Sequence, residues 1–308
     1  MPKKRPASHD VSRLKILSAG DEQPFLACVS ELLASGDRLA REAALEALLE
    51  RPLPQLREQL RTLYFEIDAD GQKRDPGAHL RTRIAQLLLA GEDPRDIDIA
   101  LRAADTHESS MGVDGTSNLR AVGLKIIASA DPDLFPYVAA EHVNDSSTFS
   151  PEPANTALQL LASTGHEVSV YQWIVSGVHD PALIEAAIDL LQDAPAIVIS
   201  RCLAQLTTGA VETKDEPLLT KLAETIVERE LEDTYPALVS IVRSAISNEL
   251  YSYLALLLAG TNRPVLLAVL DAQLENDIRR RPLILDALRV RTTPEQAAIL
   301  KRWEEPAD

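Results

Sequence analysis

Apolar positions along this chain come in short bursts at helical spacing, and the bursts resemble one another. Small and aliphatic residues recur in REAALEALLE from Arg41, RTRIAQLLLAG from Arg81, RAVGLKIIASAD from Arg120, ANTALQLLASTG from Ala154, IEAAIDLLQD from Ile184, YLALLLAGT from Tyr253 and LILDALRV from Leu283. Recurrence at roughly 30–40 residues marks repeated units in which each helix pair buries its apolar face only against its neighbours. The pattern predicts an all-α chain, an α-solenoid of stacked antiparallel helix pairs, with about eight pairs and a C-terminal capping helix.

Read pair by pair, residues 24–34 put Phe25, Val29, Leu32 and Leu33 on one face, and Gly36-Asp37 breaks that helix. Its partner, 38–50, presents Leu39, Ala43, Leu45, Leu48 and Leu49. Pro52 and Pro54 open a second pair, with Leu56, Leu60, Leu63 and Tyr64 in one helix and Leu80, Ile84, Leu87 and Leu88 in 79–90. The remaining pairs are 96–104 with 118–129, 133–143 with 153–163, 168–176 with 182–192, 196–206 with 216–229, 236–247 with 249–259, and 265–275 with 282–290. Helix 294–303 closes the stack. Residues 1–20 are polar and mixed, an N-terminal arm with a turn of helix around 11–17, and 21–308 form one repeat domain. Pro136 and Pro236 fall just inside the first helices of their pairs, where proline either starts a helix or kinks it.

Composition narrows the picture. Hydrophobic residues make up 45% of the chain and aromatics only 4%, so the core must be interlocking Leu, Ala, Ile and Val. Acidic side chains outnumber basic ones 47 to 31, a formal net charge of −16 that repels phosphates at long range and disfavours a nucleic-acid partner. Two local basic clusters stand against that balance: PKKRP at the start, read as a solvated tail, and Arg279-Arg280-Arg281, placed at the start of a late helix where it would pair with Glu275 and Asp277. Cys28 and Cys202 both lie in apolar helical stretches, read as core residues in a reducing compartment. With no apolar leader pattern and no apolar run long enough for a bilayer, the expectation is a cytoplasmic protein without membrane contact.

The helix pairs resemble the HEAT-repeat family, whose members carry a turn Asp and, six residues on, an Arg or Lys in the second helix. Asp75 with Arg81 and Asp114 with Arg120 have that spacing; the first pair has Asp37 four residues before Arg41, and Asp180 is followed six on by Ala186. The resemblance spans residues 21 to 303 as a pattern. It implies a scaffold that binds partners along a curved surface, before it implies catalysis.

Three long polar stretches, 66–78, 105–117 and 144–152, interrupt the second, third and fourth pairs at one topological position. Loops equivalent in a stack align along one edge, so these are expected to form a ridge exposing Asp68, Asp70, Lys73, Arg74, His107, Glu108, Met111, Asp114, Asp145 and Phe149. The alternative is a set of tolerated surface insertions.

Chemical motifs are sparse. The run from Glu66 to Gln72 places carboxylates at alternate positions before a Gly, as a calcium loop does, but Gly77 stands where the bidentate Glu belongs. His107-Glu108 and His166-Glu167 lack the second His of a zinc-protease helix. GxSxG, Walker A and Rossmann glycine patterns do not occur. HEAT-like DNA glycosylases need a basic groove with aromatics, which the acidic balance and Trp173, sited in an apolar helix, do not supply. The expected function is a non-enzymatic scaffold, without cofactor, binding a protein partner, a basic segment being the natural complement, through its inner helices and the ridge. The rival is a metal-dependent or lyase-type enzyme using Asp68, Asp70, His107 and Asp114.

Overall fold

The computed structural model describes residues 7–110, 113–147, 149–177 and 180–304. Among these the chain is helical apart from short turns and one hairpin of two-residue strands, Ser109–Ser110 and Val113–Asp114. Its contacts cluster into two compact units, Met1–Val170 and Tyr171–Asp308.

The first unit contains α1 (Ala7–Ser18), α2 (Glu22–Leu33), α3 (Arg38–Glu50), α4 (Arg57–Asp68), the single turn α5 (Gly71–Arg74), α6 (His79–Leu89), α7 (Ile97–Ala104), α8 (Ser117–Ala130), α9 (Phe135–His142) and α10 (Ala154–Ser163); the boundary falls within α11 (Glu167–Val175). Helices pair as α2 with α3, α4 with α6, α7 with α8 and α9 with α10. Beyond the pairs runs a series in which α3 lies on α1 and α6, α6 on α8, and α8 on α10, while α2 lies on α4 and α4 on α7. Residues 7–18, expected as an arm with one turn, form a helix against α2 and α3, with Leu14 buried.

Local chemistry explains where these helices begin. The Asp37 carboxylate accepts from Leu39 N at 2.9 Å and caps α3, and Pro136 sits in the first turn of α9 and starts it rather than kinking it. One face was misplaced by the apolar pattern. In α3 the buried side is Ala40, Ala44, Leu45 and Leu48, whereas Leu39 and Leu49 are exposed. Alanines face inward because α3 is enclosed by α1, α2 and α6, and small side chains let helix axes approach. Helices α7 and α8 approach closely at Gly123. A Cβ built on Gly123 would lie 2.8 Å from Ala100 O and 2.8 Å from Ala104 N.

The second unit holds α12 (Pro181–Leu190), α13 (Ala196–Thr213), α14 (Glu216–Glu228), α15 (Tyr235–Ser244), α16 (Asn248–Gly260), α17 (Pro264–Asn276), α18 (Arg281–Val290) and α19 (Pro294–Glu304). Here α12 lies on α14, α14 on α16 and α16 on α18, with α13 on α15 and α19 against α17 and α18. Helix α13 runs past residue 206, where the sequence pattern ends it, to Thr213. Thr207 and Thr208 donate back to the Leu203 and Ala204 carbonyls, and the helix ends at Lys214 in the left-handed region.

Arginine recurs as a cap on helix ends, donating to carbonyls that the last turn leaves unpaired. Arg51 Nη1 reaches Ser18 O and Gly20 O at 3.0 Å, and Arg57 Nη2 reaches Leu88 O at 3.2 Å. In the second unit Arg229 Nη1 reaches Leu191 O at 3.0 Å, and Arg280 Nη1 reaches Ala245 O at 2.7 Å. The basic cluster before α18 therefore works mainly on carbonyls and rings: Arg280 adds only a long approach to Asp277, and Arg281 donates to Leu274 O and stacks 4.7 Å over Trp303. Trp173 is buried, as its apolar helix predicts. No described helix is long and apolar enough to cross a membrane.

Candidate functional site

The three interrupting loops of the first unit touch in series. Gln72 Nε2 donates to Ser109 O at 3.0 Å, joining the first loop to the second, and Ser117 Oγ lies 3.5 Å from Ser150 Oγ, joining the second to the third. Gly115 approaches Gly77 so closely that a Cβ on Gly115 would lie 2.8 Å from Gly77 Cα. What holds this edge together is a row of arginines that begins the recurrent phrase of the sequence: Arg41 in α3, Arg81 in α6 and Arg120 in α8.

Each arginine reaches an acid of the following helix pair at nearly the same sequence offset. Arg41 Nη2 meets Glu66 Oε1 at 3.1 Å, 25 residues on. Arg81 grips both oxygens of Glu108, 27 residues on, at 2.8 and 2.6 Å. Arg120 grips both oxygens of Asp145, 25 residues on, at 2.7 and 3.0 Å. The two-pronged geometry matches the planar guanidinium fork to a carboxylate, which a lysine cannot do.

Arg81 and Arg120 also hold acids of their own pair. Arg81 Nη1 lies 3.1 Å from Asp68 Oδ1 and its Nε 3.5 Å from Asp75 Oδ2. The Asp75 carboxylate doubles as a helix cap, accepting from Leu80 N and Arg81 N at 3.0 Å each. Arg120 pairs with Asp114 through Nη2 and donates from Nη1 to Thr116 Oγ1 at 2.8 Å and Thr106 O at 3.0 Å. Both six-residue Asp–Arg spacings thus close as contacts.

Electrostatics follow from burial and pairing. Only 1% of each of the Arg81 and Arg120 side chains is exposed. Burial acts against the charge of Arg81, but Glu108, Asp68 and Asp75 outweigh it and hold its pKa above the usual arginine value. Burial likewise opposes ionisation of Asp114, yet hydrogen bonds from Arg120 and Thr116 hold its pKa down to about 2. Beneath the first loop, burial and then the nearby Asp68 charge push the Tyr64 phenol up; its hydroxyl finds no partner among the described residues.

The ridge residues predicted from sequence therefore divide. Asp68, Glu108, Asp114 and Asp145, expected to be exposed, are largely turned inward onto Arg81 and Arg120 because a buried guanidinium needs carboxylates to compensate it. Asp70, Lys73, Arg74, His107 and Phe149 face outward, Phe149 with 78% of its surface exposed. Met111 lies outside the described residues. The sequence reading passed over Arg81, Arg120, Asp75 and Thr116 as site residues, although the six-residue spacing pointed to the first three.

One group on the edge has metal-ligand composition. Ligand atoms of His107, Asp114 and Asp145 lie within 4.8 Å of one another. Arg120 already contacts both carboxylates, so the charge that would attract a cation is largely neutralised in place. His142 adds its Nδ1 at 3.2 Å from Asp145 Oδ2 and leaves a buried Nε2 without a partner among the described residues. The Asp68 carboxylate of the calcium-like run is likewise taken, by Arg81 and Arg102. No protein-family model, curated protein or solved structure matches the chain.

Proposed function

We propose that the chain is a non-enzymatic interaction scaffold, each unit a stretch of stacked helix pairs resembling a HEAT solenoid, and that the loop edge of the first unit takes a protein partner. The observation that carries this reading is the arginine ladder. Two buried arginines and a third at the start fix three consecutive loops to one another, which is more order than tolerated insertions need. A rigid edge holds its outward residues in fixed positions, so a partner would not have to order them on binding. The outward set mixes Asp70, Lys73, Arg74, His107 and Phe149, a polar rim with an aromatic anchor. With a net charge of −16, a basic segment is the complementary partner.

The test is affinity capture from native extract with wild-type chain and a His107→Ala/Phe149→Ala variant, followed by titration of the purified, identified partner. These side chains face solvent, so the variant should keep wild-type circular dichroism. The reading requires a partner whose affinity falls roughly tenfold or more in the variant and weakens with added salt. Equal affinity for both proteins, or salt-independent binding, overturns it. A metal-dependent site at His107, Asp114 and Asp145 is the second reading, favoured by their proximity and opposed by Arg120. Stoichiometric uptake of a divalent metal, abolished by His107→Ala, would establish it.

A further inference from the structure

Charge is unevenly distributed over the first unit. Acids make up 47 of the 308 residues, yet α6, α8 and α10, which are 11, 14 and 10 residues long, contain neither Asp nor Glu, where that share would place about five. The three helices lie side by side, α6 on α8 and α8 on α10, so their solvent-facing sides make one acid-free strip. Neighbouring α3, by contrast, carries Glu42, Glu46 and Glu50.

The strip has an ordered centre. Gln86 follows the buried Ile84-Ala85, Lys125 the buried Gly123-Leu124 and Gln159 the buried Ala157-Leu158, so these three exposed side chains share one register position of consecutive helices. Asn118 is exposed and Arg83 half-buried on the same helices. Among the described residues the side chains of Arg83, Gln86, Asn118 and Lys125 make no hydrogen bond or ion pair, and Gln159 spends one donor on Asn155 Oδ1 at 3.2 Å. Other cations of this unit are answered locally, Arg38 by Glu42, Arg95 by Asp93 and Arg102 by Asp68. Lys125 has no acid to reach on its own helix or on α6 and α10.

Cations without counter-ions attract carboxylates, and side-chain amides both donate and accept, the complement of a peptide backbone. Helix axes about 8–10 Å apart put the row Gln86, Lys125, Gln159 about 16–20 Å from end to end, the reach of about five or six extended residues. A nucleic acid is disfavoured, because none of the three helices contains a Phe, Tyr or Trp on which a base could stack. The net charge of −16 repels an acidic partner at a distance, but salt screens it beyond about 8 Å, so the local strip decides contact. We propose that the α6, α8 and α10 face docks an extended acidic peptide segment, its carboxylates on Lys125 and Arg83 and its backbone on Gln86 and Gln159. This is a second docking surface, independent of the loop edge.

The experiment titrates the full-length chain with the peptide (Glu-Thr)4, following backbone amide shifts by NMR, with (Lys-Thr)4 and an oligothymidylate of equal length as controls. Saturable shifts concentrated in α6, α8 and α10 are expected with the acidic peptide alone. Lys125→Glu, at an exposed position, should fold as wild type and bind roughly fivefold or more weakly. The pair Gln86→Ala/Gln159→Ala should weaken binding as well. Arg95→Ala, at an exposed arginine already paired with Asp93, and the loop-edge variant His107→Ala/Phe149→Ala should bind the peptide as wild type does. The proposal is overturned if (Glu-Thr)4 does not saturate, if Lys125→Glu binds it as tightly as wild type, or if either control binds as well. Salt-sensitive self-association abolished by Lys125→Glu, without peptide binding, would overturn it in favour of a second copy of the chain.

Discussion

Replacing Arg120 by Met tests the ladder at its most connected rung. Methionine nearly conserves the aliphatic stem, so little cavity is made and the change isolates the guanidinium. Arg120 holds Asp145 with two bonds, Asp114 with one, and bonds Thr116 Oγ1 and Thr106 O. Its loss leaves two neighbouring carboxylates, 27% and 22% exposed, facing each other without a cation. Breaking a buried pair by removing one partner costs about 3–5 kcal/mol. Because both acids keep some contact with water, the lower end applies, about 3 kcal/mol. Urea unfolding gives the total. The two units need not unfold together, so hydrogen exchange should locate it, with protection lost across 105–117 and 144–152 before the core of α8. Adding Asp114→Asn and Asp145→Asn removes the stranded charges and should recover more than half of the loss, a coupling typical of residues in one network. A loss below about 1 kcal/mol in the single variant, or unchanged exchange in both loops, would refute the claim that Arg120 pins them.

Other consequences can be checked directly. Gly123→Ala sets a methyl against backbone atoms of α7 that cannot rotate away, and thermal unfolding should register a loss of about 1–3 kcal/mol, with exchange raised in α7 and α8. The depressed Asp114 pKa sets a pH signature. A carboxylate ionising more readily when folded stabilises the fold above its unfolded value near 4, and that contribution fades as pH falls towards about 2. Asp114→Asn should accordingly be less stable than wild type at neutral pH, on the order of 1 kcal/mol after solvent screening, and the difference should shrink below pH 4; a constant gap from pH 7 to 3 argues against it.

Much of the helical layout was legible because each helix carries its own punctuation. Asp37 and Glu50 bound α3 as the pattern predicts, and prolines start α9, α14, α15, α17 and α18. Facing was less legible. A period of 3.6 says that an apolar stripe exists, but α3 is covered on several sides, and Ala40 and Ala44 displaced Leu39 from the interior. For the site, spacing located the loops and their serial order, while the direction of their carboxylates was hidden. An acid in a polar loop reads as solvated unless its cation is known, and here that cation stands 25 or 27 residues away in a helix whose apolar neighbours disguise it. Arg81 and Arg120 look like surface residues of amphipathic helices, yet they are among the largest fully buried side chains.

The middle loop is gripped from both directions, Glu108 by Arg81 and Asp114, Thr116 and Thr106 by Arg120. It cannot open without disturbing the loops on either side. Among elements that touch in series, such coupling decides how many of them fluctuate as one. Opening of one loop should then shift the opening free energy of the loop next to it, so that hydrogen exchange in adjacent loops changes together and not loop by loop.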